Sequence, residues 1–574
     1  MPPADNSSHE AMAAGRTAAS NAVLSSESTK RLLVAGPGTG KSFTFQQALK
    51  AAGGQGLGLT FIRNLAGDLA SDLSGLADVF TFHGYCKYLM HQHDVAGLQE
   101  GDYYPPLFQL LLEDLRVLDG PDLTVKDVEH RLHQLNTEGG ALDAVLERAD
   151  YYNAVSHTDL VYRVLGHFEA AQESVPAYAL LVVDEYQDFS RLEANFIALL
   201  ATKSPTLIAG DDDQALYTTM KHASPSFLRE LAADGDFDVF ELPYCSRCTS
   251  VVVAAVNDLL AAATLNGNLQ DRIAKQFTCY LPDKEADSTA HPTIIHAECS
   301  TANQPYAGRY IAQQIARIPT ADIATARKKG HPAALIIGPR PFLDMAYNEV
   351  VTKYPQAALA KSAPNDVDIL DGYRRLAIDA HSRLGWRIIL DQCPHEDSAE
   401  VLRRALESNS DLDAGLKDDY KSEHLAISRL VARLLANETL SSEEQAILET
   451  ATDRSLEQIR LDLDLAQPDR DDAAEVDVAE PEILFTTLVG SKGLSAEHVF
   501  IVGLNDGHFP RDPDAVTDEE ICSMLVALSR TRKQCHVIST KFLGRGFLEP
   551  SAFLTAIERH LDKVTINKDY DFDA

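Results

Sequence analysis

Residues Ala35-Gly36-Pro37-Gly38-Thr39-Gly40-Lys41-Ser42 lie between an apolar run, Leu32-Leu33-Val34, and a helical pattern over residues 43–49. A short strand that feeds a helix through a glycine-rich loop is the opening unit of a parallel α/β sheet. Glycines let backbone N–H groups crowd a phosphate, and the following helix offers the positive end of its dipole. Lys41 adds charge, and Ser42 can reach magnesium. The run fits the phosphate-loop pattern with Ala35 in place of the first glycine. A Gly-Lys-Ser triplet also arises by chance in loops, and its position between strand and helix argues against chance.

A second strand ends with chemistry. Leu181-Val182-Val183 is the apolar, β-branched run of a buried parallel strand, and it stops at Asp184-Glu185-Tyr186-Gln187-Asp188. Acidic residues often cap the helix after a strand, but a cap needs one carboxylate rather than two. Asp184 suits magnesium, and Glu185 suits orienting an attacking water. A third strand ends in Gly210-Asp211-Asp212-Asp213-Gln214-Ala215-Leu216-Tyr217. An acidic turn would account for the aspartates but leaves Gln214, whose neutral amide can sense a terminal phosphate.

With 574 residues, the chain is long enough for several domains. A net charge of −34 argues against coating a polyanion by charge alone. Any nucleic acid must therefore be met in a local cleft, with stacking as well as charge. The eight cysteines in a chain this long form no disulfide framework. No stretch is apolar enough to cross a bilayer and no secretory signal opens the chain, so a cytoplasmic location is expected.

Short apolar runs alternate with helical patterns over residues 30–90, stop over 91–175, and resume near 179 and 206. Further strand-like runs occur at 293–295, 334–337, 483–485 and 499–502, whereas 391–475 is acidic and helical in rhythm. This predicts an α/β protein with two lobes of parallel sheet flanked by helices, each lobe carrying a helical insertion. The expected order is a loose leader or weak helix (1–28), a first, phosphate-binding lobe (29–90 and 176–236) with a helical insertion (91–175), and a second lobe (237–390 and 476–574) with a short helical insertion (391–475).

The ordered segments resemble the motifs of the UvrD/Rep/PcrA group of superfamily-one helicases. Besides the three above, these are Thr60-Phe61-Ile62-Arg63-Asn64, Thr81-Phe82-His83, Leu242-Pro243-Tyr244-Cys245-Ser246-Arg247, Thr487-Leu488-Val489-Gly490-Ser491-Lys492-Gly493-Leu494 and Leu525-Val526-Ala527-Leu528-Ser529-Arg530-Thr531-Arg532. The resemblance implies two RecA-like phosphate-loop lobes with ATP and Mg2+ between them, and strand movement with 3′→5′ polarity. It implies nucleotide contact for Gly36, Pro37, Gly38, Thr39, Gly40, Lys41, Ser42 and Asp184, with Ser42 and Asp184 on the metal. Glu185, Gln214, Arg247 and Arg530 become the catalytic set, the two arginines reaching the γ-phosphate from the second lobe. DNA contact is implied for Phe61, Asn64, Thr81, His83 and Tyr217 on the first lobe, and for Thr487 and Lys492 on the second. From the residues alone, Phe61 and Phe82 fit a core position equally well.

The chain departs from the family pattern in several places. Residues 10–30 contain no Gln to read adenine, and Ser246 stands where an aromatic would stack on the base. Thr218-Thr219-Met220-Lys221 follow Tyr217 in place of an aromatic, while Val489 and Ser495 replace a His and an acidic residue. Catalytic positions are kept and strand-contacting ones altered. Single-stranded or tailed duplex DNA is the expected partner. The alternative is a DNA-stimulated ATPase that senses ends or single strands and regulates a separate nuclease, as helicase-like subunits of phage-defence systems do. A third class, a nucleotide-binding scaffold with decayed hydrolysis, conflicts with the intact Lys41, Glu185, Gln214 and arginines. Cys245 and Cys248 form a Cys-x-x-Cys pair without a second pair to complete a metal site. His91 and His93 read as surface residues.

Overall fold

The computed structural model describes residues 6–61, 63–93, 95, 98, 102–136, 140–218, 222–360, 366–463 and 481–572. They divide into two compact units, one of residues 1–82, 175–362 and 476–574, the other of 83–174 and 363–475.

The first unit is built on two large parallel sheets. The strands of one are β1 (Lys30–Ala35), β2 (Gly56–Thr60), β3 (Ala77–Thr81), β4 (Leu181–Val183), β5 (Thr206–Gly210) and β6 (Asp238–Leu242), in spatial order β3-β2-β4-β5-β1-β6. Every pairing is parallel. The carboxyl ends of β4, β5 and β1 therefore lie side by side, and the loops that follow them converge there, the usual ligand crevice of such sheets. Leu33, Ala35, Val182, Leu207 and Ala209 fill one core with Phe45 and Leu49 of the helix Lys41–Ala52.

The strands of the other sheet are β7 (Ile294–Cys299), β8 (Ala334–Ile337), β9 (Ala358–Leu359), β10 (Ile483–Thr486), β11 (Ala496–Val502), β12 (Thr531–Thr540) and β13 (Leu561–Ile566), in spatial order β9-β10-β8-β11-β12-β7-β13. Its two faces are covered by separate apolar cores, one around Val499, Leu525 and Val537, the other around Ile336, Phe485 and Phe500. The α/β lobes expected from the alternation of runs are thus both present.

Several boundaries differ from the sequence reading. Of the two readings of the leader the helix is the one found, Asn6–Ser25, and its Val23 is fully buried in the first core. Val23, with Ala19 and Leu24 packed beside it, holds an otherwise weak helix against the first core. The segment Asp238–Leu242, assigned to the second lobe, pairs with β1 and closes the first sheet. A strand's sheet is set by its long-range partner, which local pattern does not reveal.

The second unit is helical. Its first segment holds the helices Leu107–Val117 and Ala141–Tyr151, and its second begins near 363 rather than 391, with Ile369–Ile378, Arg383–Gln392 and Asp418–Leu435. A two-residue pairing, Asp102–Tyr103 with Ala154–Val155, interrupts the expected run of helices. The two segments share one core, where Leu110, Leu111 and Val145 of the first meet Trp386, Ile389 and Val431 of the second. Each such fully buried side chain contributes roughly 1.5–3 kcal/mol. The two insertions are therefore one folded body in place of two separate ones. Residues 464–480, at the end of the expected second insertion, lie outside the described residues.

Candidate active site

The loop after β1 turns through Gly38 (φ 69°) and Gly40 (φ 103°) into the helix Lys41–Ala52. At Gly38 a Cβ would meet the Arg247 Cβ at 2.4 Å, so only glycine allows this approach. The Thr39 hydroxyl donates to the Gly36 carbonyl at 2.8 Å and braces the loop. Lys41 and Ser42 open the helix, so both sit at its positive end.

The loop after β4 carries the carboxylates. Glu185 adopts a left-handed backbone (φ 54°, ψ 44°), which a non-glycine residue holds only under constraint. That turn brings its Oε1 to 2.7 Å from Lys41 Nζ, while Asp184 Oδ1 lies 3.8 Å from the same nitrogen. Gln187 Nε2 donates to Glu185 Oε2 at 2.6 Å, and its Oε1 accepts the Asp211 N–H at 3.0 Å, locking this loop to the one after β5. Burial pushes the Asp184 carboxyl up to about 6 against the pull of Lys41. Burial acts the same way on Glu185, but Lys41 and Lys492 outweigh it and hold that carboxyl well below the usual range. Glu185 is thus held ionised, as an acceptor for a water proton requires.

From the loop after β5, Gln214 Nε2 donates to Asp211 Oδ2 at 2.7 Å. Its Oε1 accepts from Arg530 Nη2 at 3.1 Å. Arg530 follows the helix Asp518–Ser529, whose start is fixed by a Thr517–Glu520 capping box, and it precedes β12. Burial, and then the neighbouring Arg247, press Arg530 below the ordinary guanidinium value. Arg247 sits over the phosphate loop. Among the described residues its buried Nη1 has no hydrogen-bond partner. Two neighbouring guanidinium groups, Arg530 buried and Arg247 partly so over the phosphate loop, fit a polyphosphate, and Ser42 and Asp184 fit its magnesium.

Lys492 corrects an expectation. Assigned to DNA contact, it is 3% exposed, with Nζ 2.5 Å from Asp188 Oδ2 and 3.6 Å from Glu185 Oε2, and it also donates to the Gln214 carbonyl. Three acceptors on the first lobe draw this second-lobe cation inward, away from the DNA contact that the family resemblance implied.

The other DNA candidates scatter. Phe61 is half-buried, with its ring centroid 5.1 Å from Tyr217 and 5.7 Å from Phe189. Phe82 is fully buried against Phe189 and Phe196, a core residue. Thr81 ends β3, and Thr487 is exposed with its hydroxyl accepting the Gly490 N–H. His83 stacks on His157 at 3.5 Å within the helical unit. Asn64 lies in the helix Arg63–Asp72, outside the residues whose side chains are described.

Two features escaped the sequence reading. Lys275 places its Nζ 2.8, 2.9 and 2.7 Å from Asp211, Asp212 and Asp213, and Arg272 pairs with Asp213 at 2.6 Å. The aspartates are the one group among the described residues spaced for a metal, and these cations already occupy them. No local signal links residues some sixty positions apart (59 from Arg272 to Asp213). The second feature is a hairpin, Phe542–Leu543 with Gly546–Phe547, whose Phe542 and Phe547 rings stand exposed with centroids 5.4 Å apart. Phe-Leu-Gly-Arg-Gly-Phe carries the glycine turn signal that could have located it.

Residues 19–220 match a family described as an AAA domain. The chain is 21% identical over 437 residues to a probable DNA helicase II homolog of Mycoplasma genitalium, covering 67% of this chain and 58% of that protein. It is 27% identical over 134 residues to DNA helicase II of Haemophilus influenzae, covering 22% of this chain and 18% of that protein. The chain thus spans under two thirds of the length of either relative.

Proposed function

We propose, on the premise that the chain is a superfamily-one protein of the UvrD/Rep type, that it is an ATP-driven DNA translocase and helicase moving 3′→5′ on single-stranded DNA. The observation that carries this reading is the reach of second-lobe cations into the first-lobe hydrolytic loops. Arg530 bonds Gln214, and Lys492 bonds Asp188 and the Gln214 carbonyl. Groups that serve hydrolysis from the opposite lobe make turnover depend on closure, and closure can then be spent on moving a strand.

In this reading Gly36, Pro37, Gly38, Thr39 and Gly40 cradle the phosphates, and Lys41 neutralises them. Ser42 and Asp184 hold Mg2+, which when bound would neutralise the phosphate oxygens. Glu185 orients and deprotonates the attacking water, and Gln187 and Lys41 fix its carboxylate. Gln214 relays the state of the phosphate site to Arg530. Arg247 and Arg530 stabilise the charge that spreads over the transferred phosphoryl group, a contribution of about 10³–10⁵ in rate for a single arginine. Phe61, Asn64, Thr81, His83, Tyr217 and Thr487 remain the proposed strand contacts, with the Phe542–Phe547 rings offering further stacking faces. No described helix is long and apolar enough to cross a membrane, and all eight cysteines are free. Both support the proposed cytoplasmic location.

A second reading has its own support. Phe61 and Tyr217 turn their rings toward each other and Phe61 also packs on Phe189, which leaves less stacking face for bases. This favours a DNA-stimulated ATPase that senses ends or single strands and regulates a separate nuclease. One experiment separates the readings: ATP turnover with and without single-stranded DNA, and strand separation on a 3′-tailed duplex. Stimulation with separation supports the helicase, stimulation alone selects the sensor, and no stimulation removes both.

A further inference from the structure

Cys245 and Cys248 flank Ser246-Arg247 in a turn that sits on the phosphate loop. The Ser246 N–H donates to the Gly38 carbonyl at 2.9 Å, and the Cys245 sulfur would be 3.3 Å from a Cβ at Gly38. The two cysteines also engage each other. The Cys248 N–H donates to Cys245 Sγ at 3.4 Å. Cys248 Sγ in turn donates to the carbonyl of Ser529, the residue before Arg530, at 3.4 Å. The helix Ser250–Leu265 starts two residues further on, so the turn leads into its positive end.

Burial favours a neutral Cys245. Hydrogen bonds from the Cys248 side chain and from the backbone at Cys248 and Arg247, together with the Arg247 charge, overcome it and bring the thiol down to about 6. Cys248 is held well above the ordinary value, first by its bond to Cys245 and then by burial. An acidified thiol whose sulfur accepts the N–H of a second cysteine, in a Cys-x-x-Cys turn before a helix, is the arrangement from which reversible disulfides form.

We propose that Cys245 and Cys248 are a reversible oxidation site, at which a hydroperoxide closes a disulfide and draws Arg247 away from the phosphate loop. The Cys245 thiolate attacks one peroxide oxygen, the O–O bond breaks, and the alcohol or water leaves after taking up a proton. The resulting sulfenic acid is attacked by Cys248 sulfur. The S–O bond breaks, and water leaves with the Cys248 proton. Two thiols and one peroxide thus become a disulfide, water, and an alcohol or second water. Both sulfurs are fully buried, so the reaction requires the turn to lift from Gly38. Closing the bond over Ser246-Arg247 holds it there, because a disulfide needs sulfurs about 2.05 Å apart and a fixed torsion.

The test uses the full chain and hydrogen peroxide, with peptide mapping after alkylation and ATP turnover measured in parallel. The expected result is a Cys245–Cys248 cross-link and a turnover loss of at least about tenfold, given what one such arginine contributes. Dithiothreitol should restore turnover, and Cys245→Ser and Cys245→Ala should resist the loss. Absence of the cross-link, or a loss that persists in both variants, overturns the proposal. The turnover effect rests on the hydrolysis reading, whereas the cross-link does not. A reduced protein without turnover would count against hydrolysis while a mapped cross-link still upheld the site.

Discussion

Lys492 Nζ lies 2.5 Å from Asp188 Oδ2, joining a second-lobe loop to the loop that carries Glu185. Lys492 is 1% exposed at its side chain and Asp188 is 0% exposed, so neither charge has solvent to fall back on. Removing one partner leaves the other buried and uncompensated. Lys492→Met is expected to cost about 3–5 kcal/mol of stability in urea unfolding. It should lower basal turnover as much as DNA-stimulated turnover. A variant that loses only DNA affinity, with a weaker salt dependence, would return Lys492 to the DNA surface.

Glu185→Gln keeps the shape that Lys41 and Gln187 grip but removes the proton acceptor. Turnover should fall about 10²–10⁴-fold, with nucleotide affinity largely kept. Single-turnover hydrolysis and binding of a fluorescent nucleotide measure the two separately. Retained turnover would take Glu185 out of its role.

Asp114 is wholly buried in the helical unit, where it accepts from Arg387 Nε at 2.6 Å and from the Tyr152 hydroxyl at 2.6 Å. Asp114→Ala leaves the Arg387 guanidinium with Glu113 (2.9 Å) and Asp391 (3.4 Å) but takes its Nε partner and that of the Tyr152 hydroxyl, and should destabilise the unit by about 1–3 kcal/mol. Hydrogen exchange should show the loss across helices Leu107–Val117 and Arg383–Gln392. An unchanged exchange pattern would mean that the pair is not needed to join the two segments.

His536 is buried under Phe500 and beside the Tyr310 hydroxyl, 2.9 Å from its Nδ1, and burial holds it well below 6.5. The unfolded chain takes up a proton near 6.5 that the folded chain refuses. This contribution is therefore complete above about 6.5 and lost as the pH falls. Relative to His536→Gln, the wild type should lose about 1.4 kcal/mol per pH unit below that point. Parallel urea titrations at pH 7, 6 and 5 test this, and a constant difference would show that His536 titrates normally in the fold.

Phe542 and Phe547 are 43% and 55% exposed, so truncating them removes stacking surface and little packing. The double alanine variant should keep its stability within about 0.5 kcal/mol. It should bind single-stranded DNA more weakly by roughly 1–3 kcal/mol per stacked base lost. Unchanged DNA affinity would leave the hairpin outside the DNA path.

What the sequence determined by itself was local. The strand that ends at Ala35, the glycines after it, and the strand that ends in Asp184-Glu185 each carry their structure within about ten residues. Strand period, turn chemistry and helix start are all short-range, so the two lobes and the loops that end these strands were legible. Their assembly was not. The burial of Lys492, the Lys275 clamp on Asp211–213, the pairing of Asp238–Leu242 with β1, and the single core of two insertions join residues tens to hundreds of positions apart. Such contacts are chosen by packing and by the cost of leaving a buried charge unpaired, and neither leaves a periodic trace along the chain. The tertiary structure alone decided that Lys492 joins Lys41 beside Glu185.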